Sequence, residues 1–174
     1  MPALLSRRRV AFQSTPLARA VRARPTRPLR PAARQDGNAG SLTAAAIRGG
    51  DVLVRGRVGA RTGIDQKGGT VIVGGDAGSM TGFMMQRGRQ VLLGNVGPGL
   101  GDSMYDGTIY VAGKVKSLGV DCVPGEWTEA DTEFIERKFR IYDLGSPPEF
   151  QKFVCGKVLY NYDSLEPAER KLVI

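Results

Sequence analysis

Thr70-Val71-Ile72-Val73-Gly74-Gly75-Asp76-Ala77-Gly78 returns nineteen positions later as Arg89-Gln90-Val91-Leu92-Leu93-Gly94-Asn95-Val96-Gly97. Like falls on like: Val73 on Leu92, Gly75 on Gly94, Ala77 on Val96 and Gly78 on Gly97. Outward from this pair the same interval holds in both directions. Gly37, Gly56, Gly75, Gly94 and Gly113 form one column, and Gly50, Gly69, Gly88 and Gly107 a second. Gly63, Gly82 and Gly101 form a third, and Gly40, Gly59, Gly78 and Gly97, closed by Lys116, a fourth. Two apolar columns keep the register, Val54/Val73/Leu92/Val111 and Ala39/Val58/Ala77/Val96/Val115. A fixed period of this length is the mark of a repeat architecture.

Apolar residues at alternate positions, as in Val52/Val54 and Val71/Val73, read as strand. Glycines then interrupt them at intervals, where the chain can take positive φ and turn. A hairpin pairs neighbours antiparallel and has no use for identical residues at a constant offset. A coil that climbs one strand spacing, about 4.8 Å, per repeat does need them. The spacing predicts an all-β fold, a single-stranded parallel β-helix of about five 19-residue coils over residues 36–123, from Gly37 to Cys122. A left-handed hexapeptide helix would show a multiple of six. A calcium-binding nonapeptide solenoid would carry an Asp in each repeat, and Asp76 and Asp102 do not recur in one column.

Composition narrows the chemistry. The 174 residues hold 25 Lys+Arg against 17 Asp+Glu, two Cys and no His. Without His there is no imidazole base and no His-containing metal site. Cys122 and Cys155 make neither a CxxC nor a four-ligand set, and suit a reducing compartment with free thiols, a single disulfide being the open alternative. Nine arginines fall in residues 1–35, which lack Asp, Glu and Lys, leaving 16 Lys+Arg against 17 Asp+Glu beyond, a net charge of −1. A balanced body with no basic face argues against nucleic-acid binding. The Arg/Pro-rich tail over 1–35 lacks apolar periodicity and is expected to be disordered. Three readings stand open for it: a gene model started too far upstream, a solvated basic tail, or an organelle-targeting segment. No run of 18 apolar residues offers a membrane span, and the expected location is cytoplasmic.

Several strings imitate known sites. Gly97-Pro98-Gly99-Leu100-Gly101-Asp102 lacks the final Gly and the following helix of a dinucleotide loop, and reads as coil corners. Met80, Met84, Met85 and Met104 read as packing residues; the alternative is a free-standing protein-binding solenoid that presents Phe83, Met84 and Met85 to a partner peptide. Asp102, Asp106 and Asp121 sit beside Gly and Ser as turn residues. No catalytic, cofactor-binding or metal-binding residue is assigned to this chain. Beyond Cys122, Thr128 and Asp131 resemble a capping box, and Phe134, Ile135, Phe139 and Tyr142 fall at helical spacing, predicting a helix over 129–142. Ser146-Pro147-Pro148-Glu149 predicts a second, short helix bearing Phe150, Phe153 and Val154 and ending at Gly156. Residues 124–174 thus read as a helical cap or docking arm on the solenoid end.

These residues resemble the GXGXG β-helix family, which forms the third domain of the large subunit of glutamate synthase. The family also occurs as separate subunits of N-methylglutamate synthase (methylamine-glutamate N-methyltransferase) and of formylmethanofuran dehydrogenase. The likeness rests on Gly94-Asn95-Val96-Gly97, Leu100-Gly101-Asp102-Ser103-Met104-Tyr105 and Gly113-Lys114-Val115-Lys116-Ser117-Leu118-Gly119-Val120-Asp121-Cys122, with Leu159-Tyr160-Asn161-Tyr162 in the C-terminal segment. It covers about residues 37–165. The resemblance implies a right-handed β-helix acting as a scaffold between a glutamine amidotransferase unit and an FMN-containing synthase unit. It also implies that FMN and an iron-sulfur cluster reside on those partners, and none of their binding residues maps to this chain. Family members carry further coils on the N-terminal side, a pattern that residues 1–35 do not show.

Overall fold

The computed structural model describes residues 33–156. In chain order it has β1 (Ala33–Gln35), β2 (Asp51–Val54), β3 (Lys67–Val73), β4 (Arg87–Leu92), β5 (Thr108–Val111), β6 (Cys122–Pro124), α1 (Glu129–Tyr142) and β7 (Gln151–Cys155). Strands β1 to β5 are parallel rungs of a β-solenoid of about four turns. The nineteen-residue register is observed directly: Val52 faces Val71, Val73 faces Leu92, and Leu92 faces Val111. At the corners Ala77 pairs Val96 and Val96 pairs Val115 in the same step. One irregularity occurs in β3, where Lys67 faces Arg87, twenty positions on. Gln66 Nε2 donates to the carbonyls of Gly68 and Gly69 there, at 3.1 and 3.2 Å.

Stacking explains the glycine columns in two ways. At Gly94 the backbone of the coil below is so near that a Cβ would lie 2.4 Å from the Gly75 carbonyl carbon. At Gly82 the chain takes φ +76, which a side chain strongly disfavours. Between consecutive rungs the chain makes two successive turns whose left-handed positions also recur every nineteen residues. Ala46, Asp65, Met84 and Ser103 form such a column, with φ from 52 to 56. The corner is also tied by side chains: Asn38, Asp76 and Asn95 each accept, at 2.7 to 2.9 Å, the N–H of the residue nineteen positions on.

The sheet has two buried faces. Inside the coil lie Val54, Val73, Leu92 and Val111 with Val58, Ala77, Val96, Met85 and Met104. On the outer face Leu53, Ile72, Val91 and Tyr110 form a further column, and α1 lies across it with Phe134, Ile135, Phe139 and Tyr142. Parallel strands covered on both sides read as continuous apolar runs, as Val71-Ile72-Val73 does.

Three expectations are corrected. Residues 33–35, counted in the tail, are a strand paired with Val52, Leu53 and Val54; composition hides a rung whose outward residue is Arg34. Residues 1–32 and 157–174, which include most of that tail and the segment 159–162, lie outside the described residues. The segment read as a second helix is instead β7, antiparallel between β5 and β6. A short helix satisfies few backbone groups, whereas the open edge of β5 offers a full ladder. Helix α1, finally, covers the flank of the sheet, and it is β7, with β6 at the outer edge, that closes its end. Nineteen positions beyond β5 the chain is already entering α1 at Thr128, so no parallel rung is available to follow.

Candidate functional site

Residues weighed at the sequence level for chemistry lie in structural surroundings. Gly99 and Gly101 are turn positions with φ +77 and +64, flanking a fully buried Leu100. Met85 and Met104 are fully buried, whereas Met84 is partly exposed, which rules out the display of Met84 and Met85 together on one protein-binding face. Asp102 accepts a bond from the neighbouring Ser103 hydroxyl, as a turn residue does. Cys122 is buried in the core, and neither cysteine is in a disulfide.

The strongest electrostatics are at the seam between α1 and the sheet. Asp131, in the first turn of α1, accepts from Tyr110 Oη at 2.7 Å, Lys152 Nζ at 2.7 Å and the Thr128 backbone N–H at 2.8 Å. Burial pushes its carboxyl up, but the bonds from Lys152, Tyr110 and Thr128 outweigh it and hold the group well below the usual carboxylate range. At the other end of the helix, Asp51 on β2 accepts from both Lys138 Nζ and Tyr142 Oη. Burial again opposes and these bonds again prevail, so Asp51 is lowered as well. The two tyrosines are raised, first by burial and then by the carboxylates they serve. Tyr110 also meets Trp127 edge-on with ring centroids 5.6 Å apart and stacks on Phe134 at 5.8 Å. Each carboxylate thus joins a strand to the helix.

A second polar feature lies inside the coil. Gln66 and Gln90 are fully buried, and Gln90 Nε2 donates to Gln66 Oε1 at 3.0 Å. Gln90 Oε1 has no partner. The sequence carried this signal unread: Gln90 interrupts the column Val52, Val71, Ile109, and Gln66 the column Ile47, Met85, Met104. The outer column Leu53, Ile72, Val91, Tyr110 was equally visible and equally missed.

Two of the concavities among the described residues bear on the site. One, of about 550 Å³, opens at the β1 end and is lined by Ala39, Ala44, Val52 and Val54 with Arg34 and Gln35 at its rim. The other, of about 420 Å³, is polar and lies between α1 and the starts of β3 to β5, with Arg89, Arg137, Lys138 and Asp106. Among the described residues no group of three or more His, Cys, Asp or Glu could hold a metal ion. No helix among them is long and apolar enough to cross a membrane. What the arrangement does is hold shape: the helix is fixed to the sheet near both of its ends by Asp131 and Asp51.

A search of the curated proteins finds no match to the chain. The family model described as GXGXG motif matches residues 24–131, beginning within the stretch read as tail and ending in the first turn of α1. With the nineteen-residue rungs and their glycine columns in place, the chain belongs to the GXGXG motif family.

Proposed function

We propose that this chain is a non-catalytic scaffold in a glutamate-synthase-like complex, fixing the separation of a glutamine amidotransferase-like subunit and an FMN-binding synthase-like subunit. GXGXG domains are found in glutamate synthase-like proteins. The observation that carries the reading is that the buried Asp131 and the partly buried Asp51 are both engaged in joining α1 to the sheet. A rigid stack with its charges so engaged transmits position and performs no bond chemistry. In this reading FMN and an iron-sulfur cluster belong to the partners, the product is glutamate or N-methylglutamate, and the complex is cytoplasmic.

Reconstitution tests it. The full chain, combined with a glutamine amidotransferase-like and an FMN-binding synthase-like subunit, should be required for glutamine-dependent turnover and show none alone. Turnover by the isolated chain, or full activity of the partners without it, overturns the proposal. Recovery of a molybdopterin protein in place of the flavoprotein would move the chain to the formylmethanofuran dehydrogenase type.

A further inference from the structure

We propose that Cys122 and Cys155 form a thiol pair that closes into an intramolecular disulfide when the protein meets a low-molecular-weight disulfide, stapling the arm that carries α1 to the end of the stack. Geometry brings them together. β6 and β7 run antiparallel with Cys122 opposite Cys155. Gly156 donates its N–H to the Asp121 carbonyl and Gly125 donates to that of Lys152, each at 2.9 Å. Ladder bonds of an antiparallel pair fall on alternate positions, so Cys122 and Cys155 occupy a non-hydrogen-bonded site. Facing Cα atoms are there about 4.5 Å apart, with side chains leaving on one face, inside the window of about 4.4–6.8 Å that a disulfide spans. Neither cysteine is in a disulfide, and both side chains pack on the same interior cluster.

The exchange balances. Cys155 is the more exposed thiol, and its Sγ–H now donates to the Met104 carbonyl at 3.1 Å. As a thiolate it attacks one sulfur of oxidised glutathione; that S–S bond breaks, and the leaving glutathione thiolate takes up a proton. Cys122, deprotonated in turn, attacks the Cys155 sulfur of the mixed disulfide and expels the second glutathione. Two protein thiols are oxidised and one glutathione disulfide is reduced to two thiols. Burial, reinforced by the facing Cys155, raises the Cys122 thiol to about 11, so the second step is slower and accelerates with pH. The closed loop takes in Trp127, α1 and Lys152, the whole of the seam.

The test uses the full chain under native conditions with oxidised glutathione, followed by peptide mapping and thermal melting. The proposal predicts a peptide pair joined through Cys122 and Cys155 within one chain. It also predicts a Tm raised by roughly 10 °C, and reversal of both changes by dithiothreitol. Cys155→Ser should abolish the cross-link and the shift. A glutathione adduct persisting on Cys155, a disulfide between two chains, or a Cys122–Cys155 link that forms only after urea unfolds the protein overturns it.

Discussion

The inner and outer faces of the same strands are held by opposite means. Inside, each residue rests on its counterpart from the coil below, Val73 on Val54 and Leu92 on Val73, with no carboxylate, ammonium or guanidinium in the cluster. Outside, Leu53, Ile72, Val91 and Tyr110 meet unlike residues from α1, and the contact is pinned at its two ends by Asp51 and Asp131. A repeat specifies its own partner, so burial and close approach suffice within the stack. A helix arriving from elsewhere in sequence has no register to follow, and buried charge supplies the address. The stack should therefore answer to volume and the seam to pH.

The largest effect should come from jamming the stack. Gly94→Val places a side chain where a Cβ already lies 2.4 Å from Gly75 backbone. It should cost about 4 kcal/mol in urea unfolding, and a loss under about 1 kcal/mol would contradict the close stacking. Next is the seam: Asp131→Ala leaves Lys152 and the Tyr110 hydroxyl without their shared acceptor, a loss of about 3 kcal/mol. Trp127, the sole tryptophan, packs on Tyr110 and reports the change by fluorescence. Acidification should mimic that substitution. Asp51 and Asp131 are lowered from 3.8 in the folded state, so their stabilisation is present above that value and is lost as pH falls through the folded values. Tyr110 and Tyr142 are raised from 10.0, and their share is complete below pH 10 and lost as pH climbs beyond it. Trp127 emission should change at both extremes; an inner-face probe shifting at the same pH would merge the two regions.

Smaller effects sharpen the comparison. Replacing the interior pair together, Gln66→Met with Gln90→Val, restores both apolar columns and removes the orphaned Gln90 Oε1. It should stabilise the chain by about 1 kcal/mol in the same urea assay, and a loss would mean that the glutamines fix the stacking register. Smaller or equal is the gain from Met84→Gly, about 1 kcal/mol, because Met84 holds φ 54 at a partly exposed corner. A destabilised variant would show that the Met84 side chain contributes more packing than its backbone strain removes.

Legibility follows the same division. The stack was readable because periodicity is a property of the sequence itself, and α1 was placed at Glu129–Tyr142 because its cap and apolar spacing are local. The seam was not read, although Tyr110 at the end of an apolar column opposite an amphipathic helix was a signal for it. Lys138 and Lys152 gave no signal, since a lysine is ordinarily solvated and only the tertiary fold brings it to Asp51 or Asp131. Strand β7 was misread for a related reason. Its partners, β5 and β6, are set by the edge that the solenoid leaves open, and no local pattern announces that edge. Left-handed corners at Asp65 and Met84 were invisible because neither residue type demands positive φ.

The central claim, that the chain advances one rung for every nineteen residues, is tested most directly by backbone NMR on the full-length protein. The account predicts Hα–amide contacts of the parallel kind linking Val54 with Val73, Val73 with Leu92 and Leu92 with Val111. Antiparallel contacts between consecutive strands β2 to β5, or parallel ones at any other interval, would contradict it.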